Sequence, residues 1–347
     1  MSGERVATAL VGCGYWGKNL ARNLHQLGHL EVVCDSSPAV LEGAKAAYKG
    51  VRTTRSYERV LADPKLKAVA LASPAAQHHA MAKAALLAGK DVFVEKPLAL
   101  RVPEAEELVA LAKRKKRVLM VGHILEYHPA VRKLKELVQA GELGEIHYVY
   151  SNRANLGKVR QEENILWSFA PHDISVILLL VGAMPEWATT SGESYLQHQV
   201  ADVTMTCLAF PGKARAHIFV SWLHPLKEQK LVVIGSRKMA IFDDVAKEGK
   251  LKIFDKGIDM REGRPVVRQT SESTLFFPDM EPLREELLHF ADCVRSRRTP
   301  RTDGENGLRV LRVLDACQRS LESGGAPARL AAETPLEPAP KRTRRTR

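Results

Sequence analysis

The sequence predicts an α/β protein: a doubly wound parallel sheet first, then an α+β domain on an open, mostly antiparallel sheet. Two observations carry this expectation. Up to residue 122, short apolar runs alternate with helical segments across short joints, as parallel strands buried on both faces do. From about residue 146, strand-like runs follow one another with tight turns between them. The length of 347 residues also exceeds the usual size of one domain.

In the first part, residues 6–11, 30–34, 68–72, 91–95 and 118–121 are apolar runs rich in strand formers. Helical stretches fall at 18–27, 39–48, 77–88 and 103–116; Gly89 ends the third, and Pro103 stands in the first turn of the fourth. A helix at 129–140 closes on Gly141. Strands are then expected at 146–153, 202–210, 214–222, 230–235, 239–243 and 251–255, with Pro211-Gly212 and residues 235–237 as hairpin turns. Helices are expected at 172–181, 282–296 and 304–322. The boundaries implied are 1–122, 123–323 and a Pro-, Ala- and Arg-rich tail, 324–347, expected to be disordered.

Composition is that of a globular enzyme, 45% hydrophobic and 27% charged, which excludes collagen-like and disordered classes. The net charge of +12 raises the question of a polyanionic partner, and its distribution answers it. Residues 1–122 carry +8, residues 123–340 carry −1, and Lys341 to Arg347 carry +5. The basic run Lys113-Arg-Lys-Lys-Arg117 ends a helix and lacks interleaved aromatics, so a nucleic-acid partner is not expected. The basic tail could give only weak, salt-sensitive association with a polyanion. Five scattered cysteines without a C-x-x-C pair support neither a zinc knuckle nor a disulfide framework. No H-E-x-x-H pattern occurs, so no metal is expected. The most apolar run, 174–182, falls far below a membrane span of about 20 residues. A cytoplasmic protein without a signal peptide or membrane partner is expected.

Gly12-Cys-Gly14-Tyr15-Trp16-Gly17 fits G-x-G-x-x-G, with a strand before it and a helix after. Gly12 permits the tight turn, Gly14 lets a pyrophosphate approach the backbone, and Gly17 lets helix pack on strand. Free N–H groups at the helix start would face the phosphates. Asp35 ends the second strand at the distance where an acid accepts from the ribose hydroxyls and repels a 2′-phosphate. That favours NAD over NADP.

Glu95-Lys96-Pro97 follows a buried strand, and ligands of open parallel sheets bind at strand carboxyl ends. Lys96 there could face a nicotinamide and transfer a proton, or be a solvated loop lysine. His123 follows the next strand, beside the cofactor or in a structural role. His172 would lie in the first turn of the 172–181 helix, where the dipole disfavours imidazolium and leaves a base. Capping by the His172-Asp173 pair is the alternative.

Four features together resemble the Gfo/Idh/MocA family of sugar dehydrogenases over roughly residues 5–322. They are the glycine loop, Ser73-Pro74 with His78 four residues after the proline, Ala88-Gly89-Lys90, and Glu95-Lys96-Pro97. The resemblance implies an N-terminal Rossmann domain and a C-terminal domain whose open sheet makes homodimers or tetramers. It places Lys96 at nicotinamide ribose and substrate and His78 near the cofactor loop. It also makes His172, ten residues before Gly182, the catalytic histidine. The family usually has Asp four residues before that histidine, where this chain has Ser168. Asp173 is then the nearest candidate to orient the ring, and Lys96 could take the proton instead.

Asn152, Arg153, Asn155, Lys158 and Arg160 form a polar, basic segment that could hold phosphates or a carboxylate, or be a solvated loop. With the run from Glu162 to Asp173, it is similar to family members that oxidise C3 of a UDP-N-acetylhexosamine or its uronic acid. Arg153, Arg160, His172, Asp173 and Lys96 are the substrate candidates. An inositol or free-sugar dehydrogenase, and a cofactor sensor without redox chemistry, are the alternatives.

Overall fold

A computed structural model of the chain describes residues 4–278 and 280–330. Six strands, β1 (Thr8–Val11), β2 (Leu30–Cys34), β3 (Arg52–Thr54), β4 (Ala68–Leu71), β5 (Asp91–Glu95) and β6 (Leu119–Gly122), pair in parallel in the order β3-β2-β1-β4-β5-β6. Helices α1 (Gly17–Gln26), α2 (Pro38–Ala47), α3 (Tyr57–Ala62), α4 (His78–Leu87) and α5 (Val102–Lys115) make the connections. Strand order reverses between β1 and β4, so the loops after them open a crevice at their carboxyl ends.

The second sheet has nine strands: β7 (Ile146–Leu156), β8 (Trp187–Glu193), β9 (Val203–Ala209), β10 (Arg215–Ser221), β11 (Leu223–Gly235), β12 (Met239–Asp243), β13 (Leu251–Arg261), β14 (Arg264–Leu275) and β15 (Ala328–Arg329). Their order is β14-β13-β12-β11-β7-β10-β9-β8-β15, antiparallel except for the β7–β10 pair. Helices α6 (Pro129–Gln139) and α7 (Ile165–Val181) pack with this sheet around Val149, Ile177, Leu208, Ile218, Trp222 and Val233.

Four expectations need correction. Strands β3, β8 and β14 were missed; β14 is exposed along most of its length and so shows no apolar alternation. Helix α7 begins at Ile165, not residue 172, because Asn164 caps it by accepting from the Trp167 N–H at 3.2 Å. The presumed tail is ordered at its start: Ala328 pairs with Ala188, and the Leu330 N–H bonds the Glu186 carbonyl. Its expected disorder from 331 onward lies outside the described residues. Finally, the two late helices, α8 (Pro282–Ser296) and α9 (Gly304–Glu322), are not confined to the second sheet. Leu283, Leu287 and Phe290 of α8 pack with Leu10 and Phe93 of the first sheet and with Leu20 of α1. Leu308 and Leu311 of α9 join Val109, Leu119 and Val121, while Val313 and Leu314 enter the second core. A Cβ on Gly307 would lie 2.5 Å from a Val121 methyl, so only glycine allows this α9–β6 contact.

Helix α8 also buries Glu286 completely, with neither carboxylate oxygen hydrogen-bonded. Burial pushes its pKa well above the ordinary 4.5, and Glu95 and Glu126 push it further. A raised folded pKa means a proton is taken up on folding, a cost absent below pH 4.5 that grows as pH rises. Glu286→Gln should therefore stabilise the protein by at least about 1 kcal/mol at pH 8 and change little at pH 4. Urea unfolding at both pH values tests this; equal effects at both would disprove the assignment.

Candidate active site

The glycine loop follows β1 as the spacing predicts. Gly12 has φ +84°, and a Cβ there would lie 2.7 Å from the Ala72 carbonyl oxygen. A Cβ on Gly17 would meet the Gly12 oxygen at 2.1 Å. Gly14 differs: nothing lies within 4 Å of its Cβ position, which leaves open space at the start of α1. Asp35 accepts from the Cys13 N–H at 2.8 Å and the Ser37 N–H at 2.9 Å, so its carboxylate stands beside this loop. The open approach at Gly14 and the acid next to it fit a dinucleotide, whose pyrophosphate needs bare backbone and whose ribose needs an acceptor.

Asp35→Ala should weaken NAD binding by about 10- to 100-fold, the worth of a charged hydrogen bond, and weaken NADP binding less. Titrating both dinucleotides checks this; equal losses would reject the ribose role.

The other strand ends converge on the same crevice. Trp16 donates its indole N–H to Glu95 at 2.6 Å, and burial pushes the Glu95 carboxyl up to about 7. Tyr15 is 78% exposed, with the Lys158 ammonium 5.6 Å from its ring centre. His78 is buried, its ring nitrogens 2.7 Å from the Pro97 oxygen and 2.9 Å from the Ser73 oxygen. It ties the loops after β4 and β5 together. Ser73 and Pro74 lie in the first of these loops, and the Ser73 N lies 2.8 Å from the Cβ position of Gly12.

Lys96 reaches across to the second sheet's layer: its Nζ donates to the Ser168 carbonyl of α7 at 2.8 Å. The position where the family usually carries Asp thus still meets the lysine, through its backbone. One turn on, His172 presents a buried Nδ1 with no partner. His123, at the end of β6, is buried with both ring nitrogens unpartnered. Burial lowers the pKa of all three; it pushes His123 to about 3 and His172 well below 6.5. Lys96 adds to the lowering of both histidines. Neutral imidazoles therefore stand around a lysine whose pKa is depressed.

Two expectations about His172 change. It sits inside α7, about two turns from its start, so burial and neighbouring cations, not the helix dipole, keep it neutral. Asp173 does not orient it. Both Asp173 oxygens are taken, Oδ1 by the Ser151 hydroxyl at 2.6 Å and Oδ2 by the Arg153 Nε at 2.9 Å. Arg153 is accordingly buried and committed to Asp173, not a free phosphate holder. Arg160 pairs with Glu163 at 3.1 Å. Glu163, which the sequence did not single out, raises the pKa of Lys96 against the effect of burial. Its signal was only its place in the basic segment's flank. Among the described residues no cluster of three metal-ligating side chains occurs, and no helix is long and apolar enough to cross a membrane.

A parallel sheet with a dinucleotide crevice, its strand ends facing a helix of a second sheet, defines a nicotinamide-dependent oxidoreductase. Comparison with known proteins agrees. A family model described as an oxidoreductase family with an NAD-binding Rossmann fold matches residues 6–123, and its C-terminal-domain model matches 131–241. The chain belongs to the Gfo/Idh/MocA family. It is 27% identical over 307 residues to UDP-N-acetylglucosamine 3-dehydrogenase of Acidithiobacillus ferrooxidans, covering 88% of this chain and 94% of that one. A solved structure of that enzyme superposes with TM-score 0.81, covering 91% and 97% of the chains. The chain is also 26% identical over 319 residues to a scyllo-inositol 2-dehydrogenase (NAD(+)) of Bacillus subtilis, covering 86% and 88%.

Proposed function

We propose that this oxidoreductase uses NAD in preference to NADP to oxidise a ring hydroxyl, C3, of a nucleotide sugar of the UDP-N-acetylhexosamine or uronate class. The observation that carries this reading is the Lys96–Ser168 bond, which sets an amine beside His172 between the two sheets. When bound, NAD supplies the hydride acceptor at its nicotinamide ring. Lys96 and His172 do the proton work. One of them, neutral, accepts the hydroxyl proton, and the other hydrogen-bonds the same oxygen. Lys158, over Tyr15 at the crevice mouth, is the cation best placed for a substrate diphosphate, since Arg153 and Arg160 are paired. A UDP-N-acetylglucosamine 3-dehydrogenase among the relatives supports the substrate class. The inositol dehydrogenase relative favours a second reading, a free-polyol substrate.

Incubating the purified protein with NAD and a panel of UDP-sugars and polyols, while following reduced nicotinamide, separates the two. Reduction with polyols alone would reject the nucleotide-sugar reading. Silence throughout, even with a keto-acid acceptor to recycle bound NADH, would point to a cofactor sensor.

A further inference from the structure

At the opposite end of the first sheet, a cavity of about 480 Å³ lies between the end of α5, the start of β6 and the α8–α9 connection. Strand β6 separates it from the candidate active site by about 13 Å. Its floor is apolar, made by Val109, Ala112, Leu119 and Pro300. Five cations line it: Lys113, Lys116, Arg117, Arg297 and Arg298.

Three of these are already neutralised. Arg297 holds the buried Asp91 at 2.8 Å, Arg298 pairs with Asp292, and Lys113 pairs with Glu305. Asp303, the remaining lining carboxylate, caps α9 by accepting from the Asn306 N–H at 2.8 Å. Lys116 and Arg117 have no ion-pair partner among the described residues, and the Arg117 Nε is buried without a hydrogen bond. A buried guanidinium donor left unpaired costs free energy that an anion would recover. The first turn of the 19-residue α9 borders the same cavity and adds the positive end of its dipole.

We infer that this cleft is a second binding site, for a small molecule that carries phosphate on a flat apolar body, as a nucleoside diphosphate does. The floor takes the body, and Lys116 and Arg117 take the phosphates. The volume lies within the range of small-molecule sites. The inference does not depend on the redox substrate, because the cleft lies away from the dinucleotide crevice.

The test uses the full chain saturated with NAD, so that the cofactor site is filled. N-methylanthraniloyl-ADP is titrated by its fluorescence, with inorganic pyrophosphate as a competitor. One saturable site with a dissociation constant in the micromolar range is expected. Lys116→Ala and Arg117→Gln should each weaken it about tenfold, with NAD affinity and thermal midpoint unchanged. Should Arg117→Gln fail to fold, Lys116→Ala, at an exposed position, carries the test. No saturable signal, an affinity untouched by substitution, or pyrophosphate binding as tightly as the nucleotide would each overturn the proposal. So would displacement of the probe only by excess NAD.

Discussion

Lys96→Met is expected to reduce turnover by about 10²- to 10⁴-fold, the usual contribution of a positioned acid–base group, while NAD affinity stays within a few-fold. The reason is geometric. The amine reaches the Ser168 carbonyl beside His172, whereas the glycine loop and Asp35, the proposed holders of the dinucleotide, lie at other strand ends. Methionine keeps the apolar stem and removes the proton carrier. The wild-type rate should also rise with pH along a one-proton limb lying below 10.5, since burial lowers the lysine pKa. Above that pKa the amine is neutral and can accept a proton. Steady-state rates across pH, with dinucleotide titrations of the variant, check both statements. Near-normal turnover in the variant would remove Lys96 from the chemistry.

Arg153→Met is expected to destabilise the fold by about 3–5 kcal/mol, the penalty for leaving a buried charge without its partner. Asp173 is 2% exposed, and after the substitution only the Ser151 hydroxyl would answer it. Adding Asp173→Leu should recover much of the loss, because the uncompensated carboxylate is then gone. Denaturant midpoints of the single and double variants decide the matter. A loss under about 1 kcal/mol in the single variant would mean that the pair is not a structural brace.

The first sheet was legible because its strands are short apolar runs punctuated by Gly, Pro and Asp, and buried strands allow little else. Five of its six strands and the functional loops at their ends follow from that pattern. Strand β3 escaped because three residues carry too little periodicity to register. In the second sheet, β14 is exposed along most of its length, and its two adjacent valines, Val266 and Val267, do not alternate with polar residues, so it gives no signal that separates it from a loop. Helix α7 was expected to start at His172; it starts at Ile165 and runs through Pro171, which gives up one N–H, because the Asn164 cap and the apolar residues on both sides hold it together. That error put His172 at a helix end and left Asp173 as its apparent partner. A sequence names the charged groups but not which of them meet. Glu126 and Glu286 carry no signal of burial in the sequence, and the fold alone buries both and sets them near Glu95.

The two late helices have a consequence for how the protein is made. Leu283, Leu287 and Phe290 complete the core on which β1 and β5 rest, yet they leave the ribosome long after β6 does. At ordinary elongation rates the nascent parallel sheet must wait on the order of ten seconds with that face uncovered. During synthesis, the dinucleotide-binding half therefore completes this core only when the last helices arrive.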